Sequence, residues 1–386
     1  MTDIPLRVGL IGCGNVALSD HVPFYLSRPD LYRVVAIADP IHERRALARA
    51  QIGLEPVDAY EAALGLLARD DIDVVDVCTP QHLRRPLILE ALERRRHVIS
   101  EKPLATTPAD ATILVAAAKR NGVHIALMHN YLFMPEVASA LEVVRAGEIG
   151  DVEVAIINFL GVLDLPGNSA WAPRWRHDLA AAGGGVLVDM LHAVYVAEAF
   201  LGRPIERVSG WVYARSDAAP VEDIALCRFE TDVNAALVNV GWGVGPGGIE
   251  VSGSRGRVAV RYRDGGTGPF DPLEQVTVTA DGETRTLAVA EYDDGVAAVL
   301  LDLATAIVAD RPPLASGADG LRTLEATLAV YASAYLGVTV TLPLDAADPL
   351  FTAGVLGLPD LQAAAWSPVR SRRLFSPVAG GPPPNL

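Results

Sequence analysis

The stretch Val98-Ile99-Ser100-Glu101-Lys102-Pro103 indicates the fold, because it joins a buried strand to a charged loop. Consecutive apolar β-branched residues are typical of a parallel strand that is covered on both faces. Ligands of open α/β sheets bind beyond the carboxyl ends of the strands, so we expect Lys102 to point its ammonium into that crevice. Pro103 removes a backbone donor and stops the strand, and the peptide bond before it is a candidate for the cis isomer.

A second motif lies near the N-terminus, where Gly12-Cys13-Gly14-Asn15-Val16-Ala17 reads G-x-G-x-x-A directly after the apolar run Leu6–Ile11. Gly12 permits a tight turn, Gly14 lets the backbone approach a pyrophosphate, and Ala17 is small enough for close helix–strand packing. A strand before the motif and a helix after it predict a dinucleotide-binding turn that includes Cys13, Asn15 and Val16.

Asp39 ends the next apolar run, Val34–Ala38, roughly twenty residues beyond the glycine motif. Its carboxylate would accept hydrogen bonds from the ribose hydroxyls and repel a 2′-phosphate, which predicts NAD as the cofactor. Arg44 and Arg45 lie close behind in the sequence and keep NADP open as the alternative.

The strand ends at Val74–Val77 and Val98–Ser100 are expected at the same sheet edge as Gly12. Thr79 and Pro80 follow the first of them, and Glu101 and Lys102 follow the second, so all four are predicted to contact the cofactor. His82 either contacts the cofactor as well or is a solvated loop histidine; the sequence leaves both interpretations open.

Residues 1–129 alternate between strands and helices, which predicts a Rossmann NAD(P)-binding domain with a parallel sheet. The predicted strands are Leu6–Ile11, Val34–Ala38, Val74–Val77, Val98–Ser100 and Val123–Leu127. The predicted helices are Val16–Leu26, which Pro23 would kink or shorten, Ala59–Leu67, Arg84–Arg95 and Pro108–Arg120.

Residues 130–344 predict a second α/β domain, for substrate binding and oligomerisation, with a large open and mostly antiparallel sheet. Its predicted strands are Val152–Val162, Arg207–Ala214, Ile224–Glu230, Ala235–Gly241, Gly248–Gly253, Arg257–Tyr262, Gln275–Thr279 and Val338–Leu342. Its predicted helices are Val186–Leu201, Val296–Ala309 and Gly320–Leu336. Residues 345–386 form a tail rich in proline and glycine, either an arm that wraps a partner or a frayed end.

Composition restricts the class of protein. A chain of 386 residues is expected to form more than one domain, and a formal charge of −15 argues against nucleic acid or anionic membranes as partners. The three cysteines have no metal-ligand spacing, so no metal is predicted. No apolar run reaches transmembrane length without a charge, and the N-terminus carries no basic leader, which together predict a cytoplasmic protein.

The predicted helix Val186–Leu201 follows Gly183-Gly184-Gly185 and carries Asp189 and His192, three residues apart and therefore on one face. An acid and an imidazole on an apolar helix are either a buried hydrogen-bonded pair or a functional one, and the glycines favour function. In alcohol oxidation His192 would accept the hydroxyl proton while the Lys102 ammonium stabilises the alkoxide. Asp189 would orient His192 or bind a substrate hydroxyl; Tyr195 and Tyr131 are the alternatives to His192.

Taken in order, these motifs resemble the Gfo/Idh/MocA family, which includes glucose–fructose oxidoreductase and inositol dehydrogenase. The resemblance extends from about residue 6 to 343 and includes Trp175 and Arg176. It implies NAD(P) chemistry on sugars or cyclitols, a dimer contact through the second sheet, and catalytic roles for Lys102, Asp189 and His192. Tyr131, Trp175, Arg176, Asp189 and His192 would bind the substrate.

The chain departs from the family pattern at three positions. The histidine follows Asp189 by three residues instead of four, Arg84 stands where a histidine is often found, and Leu132 stands where arginine is common. The last two departures predict a less anionic ligand.

We therefore expect an NAD(P)-dependent oxidoreductase that acts on a secondary hydroxyl of a sugar, cyclitol or glycoside, as a homodimer or homotetramer. A redox-neutral glycosidase, lyase or epimerase that uses bound NAD transiently is the first alternative. A non-catalytic nucleotide-binding regulator is the second, and the presence of all three catalytic candidates argues against it.

Overall fold

A computed structural model describes residues 5–361 apart from 56–57, 163–173, 216–218, 244, 246 and 264–272. Of the predicted C-terminal tail, only residues 345–361 therefore fall within the described part of the chain. These residues include a short helix, Pro349–Ala353, and a 3₁₀ segment, Gly354–Asp360.

The first sheet has six parallel strands in the order β3-β2-β1-β4-β5-β6. The strands are β1 Leu6–Ile11, β2 Tyr32–Ala38, β3 Ala59–Tyr60, β4 Val74–Val77, β5 His97–Ser100 and β6 Ile125–Leu127. All four residues of β4 are buried, as a strand covered on both faces requires. The strand order reverses between β1 and β4, so the predicted Rossmann sheet is confirmed and its ligand crevice opens there.

The helices of this half are Val22–Ser27, His42–Ile52, Ala63–Leu67, Arg84–Glu93 and Pro108–Asn121, and a π-helical turn, Ala17–His21, precedes the first. Helix His42–Ile52 is absent from our prediction because only Ala48 is fully buried on it, which leaves no apolar periodicity to read. The predicted helix Ala59–Leu67 is wrong in its first part, since Ala59 and Tyr60 pair with β2.

The second sheet has nine strands in the order β14-β13-β12-β11-β7-β10-β9-β8-β15. The strands are β7 Val152–Val162, β8 Arg207–Tyr213, β9 Ile224–Glu230, β10 Ala235–Trp242, β11 Gly247–Gly253, β12 Gly256–Tyr262, β13 Leu273–Ala280, β14 Glu283–Thr286 and β15 Val340–Thr341. Only β7 and β10 are parallel neighbours, so the mostly antiparallel sheet is confirmed. The turn Asp281-Gly282 joins β13 to β14 with positive φ at both residues, as a two-residue hairpin favours.

Helices cover one face of this sheet and connect the two halves of the molecule. They are Pro135–Arg145, Leu179–Ala182, Val186–Asp189, His192–Leu201 and Gly317–Leu336, whereas helix Val296–Ala309 packs into the core of the first sheet. The long helix Gly317–Leu336 starts with a capping box between Ser316 and Asp319 and packs against both β8 and helix Pro108–Asn121. Within the described ranges no single helix has the length and apolar composition needed to cross a bilayer. The segments Leu179–Asp189 and His192–Leu201 meet both criteria only when they are taken together, and the chain bends by 48° between them.

Candidate active site

A cavity of about 710 Å³ lies beyond the carboxyl ends of β1, β4 and β5, where the first sheet meets the triple-glycine segment. It is lined by Gly14, Asn15, Val16, Arg44, Cys78, Thr79, Pro80, Gln81, Arg84, Glu101, Lys102, Pro103, Trp175, Arg176, Ala182, Gly184, Gly185, Val188 and Asp189. The predicted residues Gly12, Cys13, Ala17, Asp39, His82, Tyr131 and His192 are not among the lining residues.

The glycine turn is built as the motif predicts. Gly12 has φ of +93°, and a Cβ there would lie 2.7 Å from the carbonyl oxygen of Cys78. A Cβ on Gly14 would meet no atom within 4 Å, so the backbone is open towards the cavity. Cys13 and Ala17 are fully buried behind the turn and support it from the core. A diphosphate fits this open backbone, which a larger residue at Gly14 would obstruct.

Asp39 lies behind this turn and is only 4 % exposed. One carboxylate oxygen accepts from the backbone N–H of Cys13 and the other from that of Ile41, both at 2.8 Å. Its backbone carbonyl accepts from Arg45. Asp39 thus fixes the loop that would hold a ribose, while Arg44 lines the cavity itself.

Lys102 and Asp189 meet at the cavity from opposite halves of the molecule. The Lys102 Nζ donates to the backbone carbonyl of Asp189 and lies 3.7 Å from its Oδ1. The other carboxylate oxygen accepts from the Trp242 indole N–H at 3.2 Å. The Lys102–Pro103 peptide is cis.

Burial and the neighbouring charges shift both groups. Burial lowers the pKa of Lys102 below its ordinary value, although Asp189 and Glu101 oppose part of that shift. Burial alone would raise the pKa of Asp189, but the charges of Lys102 and Arg176 and the Trp242 hydrogen bond outweigh it and hold that pKa low. Asp189 is therefore a carboxylate, and the Lys102 ammonium beside it loses its proton more readily than that of an exposed lysine.

The predicted shared face of Asp189 and His192 is wrong. The chain forms two short helices, Val186–Asp189 and His192–Leu201, because Met190 and Leu191 interrupt the hydrogen-bond ladder between them. Asp189 faces Lys102 and Trp242, whereas the Nδ1 of His192 lies 2.5 Å from the hydroxyl of Tyr195. Burial, with Lys102 and His129, lowers the pKa of His192 well below its ordinary value, which is opposite to the effect expected of a neighbouring carboxylate.

The triple glycine has a packing role that the sequence did not reveal. A Cβ on Gly184 would overlap the Tyr331 hydroxyl, and one on Gly185 would overlap Glu222. The buried Glu222 carboxylate accepts from the backbone N–H groups of Gly185 and Leu187 and from the Tyr331 hydroxyl at 2.6 Å. Burial raises the pKa of Glu222 to about 7. This carboxylate fixes the segment that carries Asp189 into the cavity.

A second buried network supports Glu101. His21 is fully buried and contacts Asp76 at 2.8 Å and Glu101 at 3.4 Å, and the Tyr25 hydroxyl also donates to Asp76. Burial opposes its charge, but Asp76 holds the pKa of His21 well above its ordinary value. The buried His21 imidazolium therefore links the carboxylates of Asp76 and Glu101, the second of which directly precedes Lys102 in the chain. Sequence reading missed it because His21 and Asp76 lie 55 positions apart.

Gln81 and Arg84, two further lining residues absent from our predictions, brace the loops around the cavity. The buried Arg84 guanidinium donates to the carbonyls of Thr79 at 2.8 Å and Pro103 at 2.5 Å, and burial lowers its pKa to about 10. Gln81 donates to the carbonyl of Ala182, across the domain boundary. His82 is exposed outside the cavity, which favours the solvated interpretation.

Comparison with known proteins identifies both halves. A family model described as "Oxidoreductase family, NAD-binding Rossmann fold" matches residues 6–129, and one described as "GFO/IDH/MocA C-terminal domain" matches residues 137–259. An aldose-aldose oxidoreductase structure from Caulobacter crescentus, complexed with glycerol, is 26 % identical with a TM-score of 0.77, over 88 % of this chain and all of that one.

Two curated relatives are similar over half of the chain. The dTDP-3,4-didehydro-2,6-dideoxy-alpha-D-glucose 3-reductase of Actinomadura kijaniata is 34 % identical over 53 % of this chain and 58 % of that protein. The D-glucoside 3-dehydrogenase of Escherichia coli strain K12 is 32 % identical over 53 % of this chain and 56 % of that protein. The match thus spans less than two thirds of either relative.

Proposed function

Because the chain belongs to the Gfo/Idh/MocA oxidoreductase family, we propose that it is an NAD-dependent dehydrogenase for a secondary hydroxyl of a sugar, cyclitol or glycoside. The observation that carries this proposal is the Lys102–Asp189 pair, which lies in the same cavity as the open Gly14 backbone. A hydroxyl and a dinucleotide would therefore reach one site. Both curated relatives are named for reactions at carbon 3, which makes the C3 hydroxyl of a hexose or hexoside the first position to test.

Bound NAD would supply the hydride acceptor, and Gly14, Asn15 and Thr79 are the lining residues placed to hold it. The Thr79 Oγ1 is buried and has no hydrogen-bond partner among the described residues, as expected of a group whose partner is a bound ligand. Trp175 and Arg176 line the same cavity and stay our candidates for substrate contact. Leu132 does not line it, whereas Arg84 does, with its N–H groups already bonded to two carbonyls.

Oxidation also requires an acceptor for the hydroxyl proton. Lys102 lies at the cavity and burial lowers its pKa, so its neutral amine can donate to the Asp189 carbonyl while its lone pair accepts that proton. Asp189 holds the lysine in place and stabilises the ammonium that forms. We therefore move the role of proton acceptor from His192 to Lys102.

The outer face of the second sheet supports the predicted homo-oligomer. Four large apolar side chains, Ile156, Trp211, Leu226 and Leu237, are between 37 % and 43 % exposed on neighbouring strands. Their registers pair Ile156 with Leu237 and Trp211 with Leu226, and Leu226 is the diagonal neighbour of Leu237, so the four form one patch. Such a patch on a sheet face marks an interaction surface, and a second copy of the chain is the partner we propose. Sedimentation of the wild type and of Leu237→Glu tests it; an unchanged mass contradicts it. A cytoplasmic location stays a prediction.

The test of activity is a panel of sugars, glycosides and cyclitols with NAD, followed at the nicotinamide absorbance. Reduction of NAD by a hexose or hexoside, and its loss in a 3-deoxy analogue, is the expected result. Conversion of a substrate without net change in nicotinamide absorbance would instead favour the redox-neutral alternative. Binding of NAD without turnover of any compound would favour a regulator.

A further inference from the structure

Four aromatic and imidazole rings form a buried cluster beside the break between the two short helices. Tyr131 stacks on His192 and His129 stacks on Tyr195, each with ring centroids 4.0 Å apart. His192 and Tyr195 meet edge to face at 5.5 Å. His192 and Tyr195 are each stacked on one face and meet each other at an edge, so neither ring can turn without displacing a neighbouring ring.

The hydrogen bonds of the Tyr195 hydroxyl determine where its proton points. The phenol oxygen accepts from the backbone N–H of Tyr131 at 3.1 Å and lies 2.5 Å from the Nδ1 of His192. No other acceptor for the phenol proton occurs among the described residues, and a buried hydroxyl hydrogen without an acceptor is costly. The Tyr195 O–H therefore donates to Nδ1 of His192.

A neutral imidazole carries one proton, so an Nδ1 that accepts leaves the proton on Nε2. Burial raises the pKa of Tyr195 well above its ordinary value and lowers that of His192, so the phenol stays protonated and the imidazole stays neutral. His192 is 6 % exposed, and its Nε2 has no hydrogen-bond partner among the residues that the structure describes. That nitrogen is therefore a free donor and not an acceptor. His192 does not itself line the cavity, but it lies near enough to Lys102 for the charge of that lysine to contribute to its lowered pKa.

We propose that Tyr195 is a positioning residue that locks His192 in the Nε2–H form, so that His192 donates a hydrogen bond to the reacting oxygen and never receives its proton. The inference rests on the proposed dehydrogenase function. In oxidation the hydroxyl proton passes to the Lys102 amine, the hydride leaves carbon for the bound NAD, and the oxygen becomes a carbonyl. His192 keeps its proton throughout and stabilises the developing negative charge on that oxygen.

The first test reads the tautomer directly. Protein labelled with ¹⁵N-histidine is examined by long-range ¹H–¹⁵N spectroscopy at neutral pH, with His192→Gln to assign the signals of His192. We expect a bare Nδ1 and a protonated Nε2 in the wild type, and the opposite tautomer or a mixture in Tyr195→Phe. A protonated Nδ1, or an imidazolium, in the wild type overturns the proposal. This readout needs no substrate, so it stands apart from any failure of the proposed function.

The second test compares two replacements of His192. Glutamine places an amide N–H near the position of Nε2, whereas phenylalanine keeps the ring and removes the donor. We expect kcat of His192→Gln within about tenfold of the wild type and that of His192→Phe lower by about a hundredfold, the usual cost of one oxyanion donor. Equal losses in both variants would mean that His192 is the proton acceptor and would overturn the proposal. If the wild type oxidises no substrate, the proposed function fails while the tautomer measurement still decides the inference.

Discussion

Glu222 makes the stability of this protein depend on pH in a predictable direction. Its carboxyl is 2 % exposed, and burial raises its pKa to about 7, whereas the ordinary glutamate pKa, which applies in the unfolded chain, is 4.5. Between those two values the folded state binds the proton more tightly than the unfolded state. The free energy of unfolding must therefore fall as pH rises through this window, and the stabilisation is complete only below the unfolded pKa.

The size of the effect follows from the same two values. Each unit of pKa difference corresponds to about 1.4 kcal/mol, so the full difference is about 3 kcal/mol. Between about pH 5.5 and about pH 8 the free energy of unfolding should fall by about 2 kcal/mol. This is less than the full difference because some of it has already been lost at the lower pH. Glu222→Gln mimics the protonated carboxyl, keeps an acceptor for Gly185 and Leu187, and removes the titration.

The assay is chemical denaturation of the wild type and Glu222→Gln at both pH values, with Glu142→Gln, an exposed carboxyl, as the matched control. We expect the wild type and the control to lose about 2 kcal/mol more than Glu222→Gln on going to the higher pH. The same pH dependence in all three proteins, or a wild type that gains relative stability at the higher pH, would refute the reasoning.

Three further outcomes are expected at the cavity. Lys102→Ala should lower kcat by about a hundredfold or more while the Kd for NAD changes little, and normal turnover would contradict its assignment. Calorimetric titration should give a lower Kd for NAD than for NADP, since Asp39 lies beside the loop that would hold the ribose. Tighter binding of NADP would contradict this and would indicate that Arg44 binds the 2′-phosphate. Trp242→Phe removes the indole N–H that donates to Asp189, so steady-state kinetics should show kcat lower by about tenfold and an unchanged KM for coenzyme. An equal change in kcat and KM would indicate a general loss of structure.

Sequence reasoning reached the parts of the fold that depend on local pattern. Five of the six strands of the first sheet could be predicted because their signals are apolar runs of neighbouring residues, whereas β3 was predicted as part of a helix. Predicted residues line the cavity where a motif places a side chain at a strand end, as with Lys102, and also at Asp189, which follows the triple glycine.

The rest depends on contacts between distant positions. The helix break at Met190 and Leu191 separates His192 from Asp189, and helical spacing alone could not reveal it. The Nδ1 of His192 is hydrogen-bonded to the Tyr195 hydroxyl, and its ring stacks on that of Tyr131, which lies on another element. Glu222 reads as an ordinary loop acid until the fold places it under the triple glycine. Tertiary packing determines which buried polar side chains become partners, so these pairs cannot be predicted from local sequence propensity.

The outermost strands of the two sheets are short. β3 and β15 have two residues each, β6 has three, and β14 has four exposed residues that include Glu283 and Arg285. A short or charged margin offers few unpaired backbone groups in a row, so it is a poor template for a strand from another molecule. The apolar sheet face that we propose for self-association is thus exposed without a long unpaired strand edge of the kind from which fibrils grow. In the oligomer that we propose, the contacts would therefore be made by side chains, whose complementarity is specific, and not by the backbone, which any strand could match.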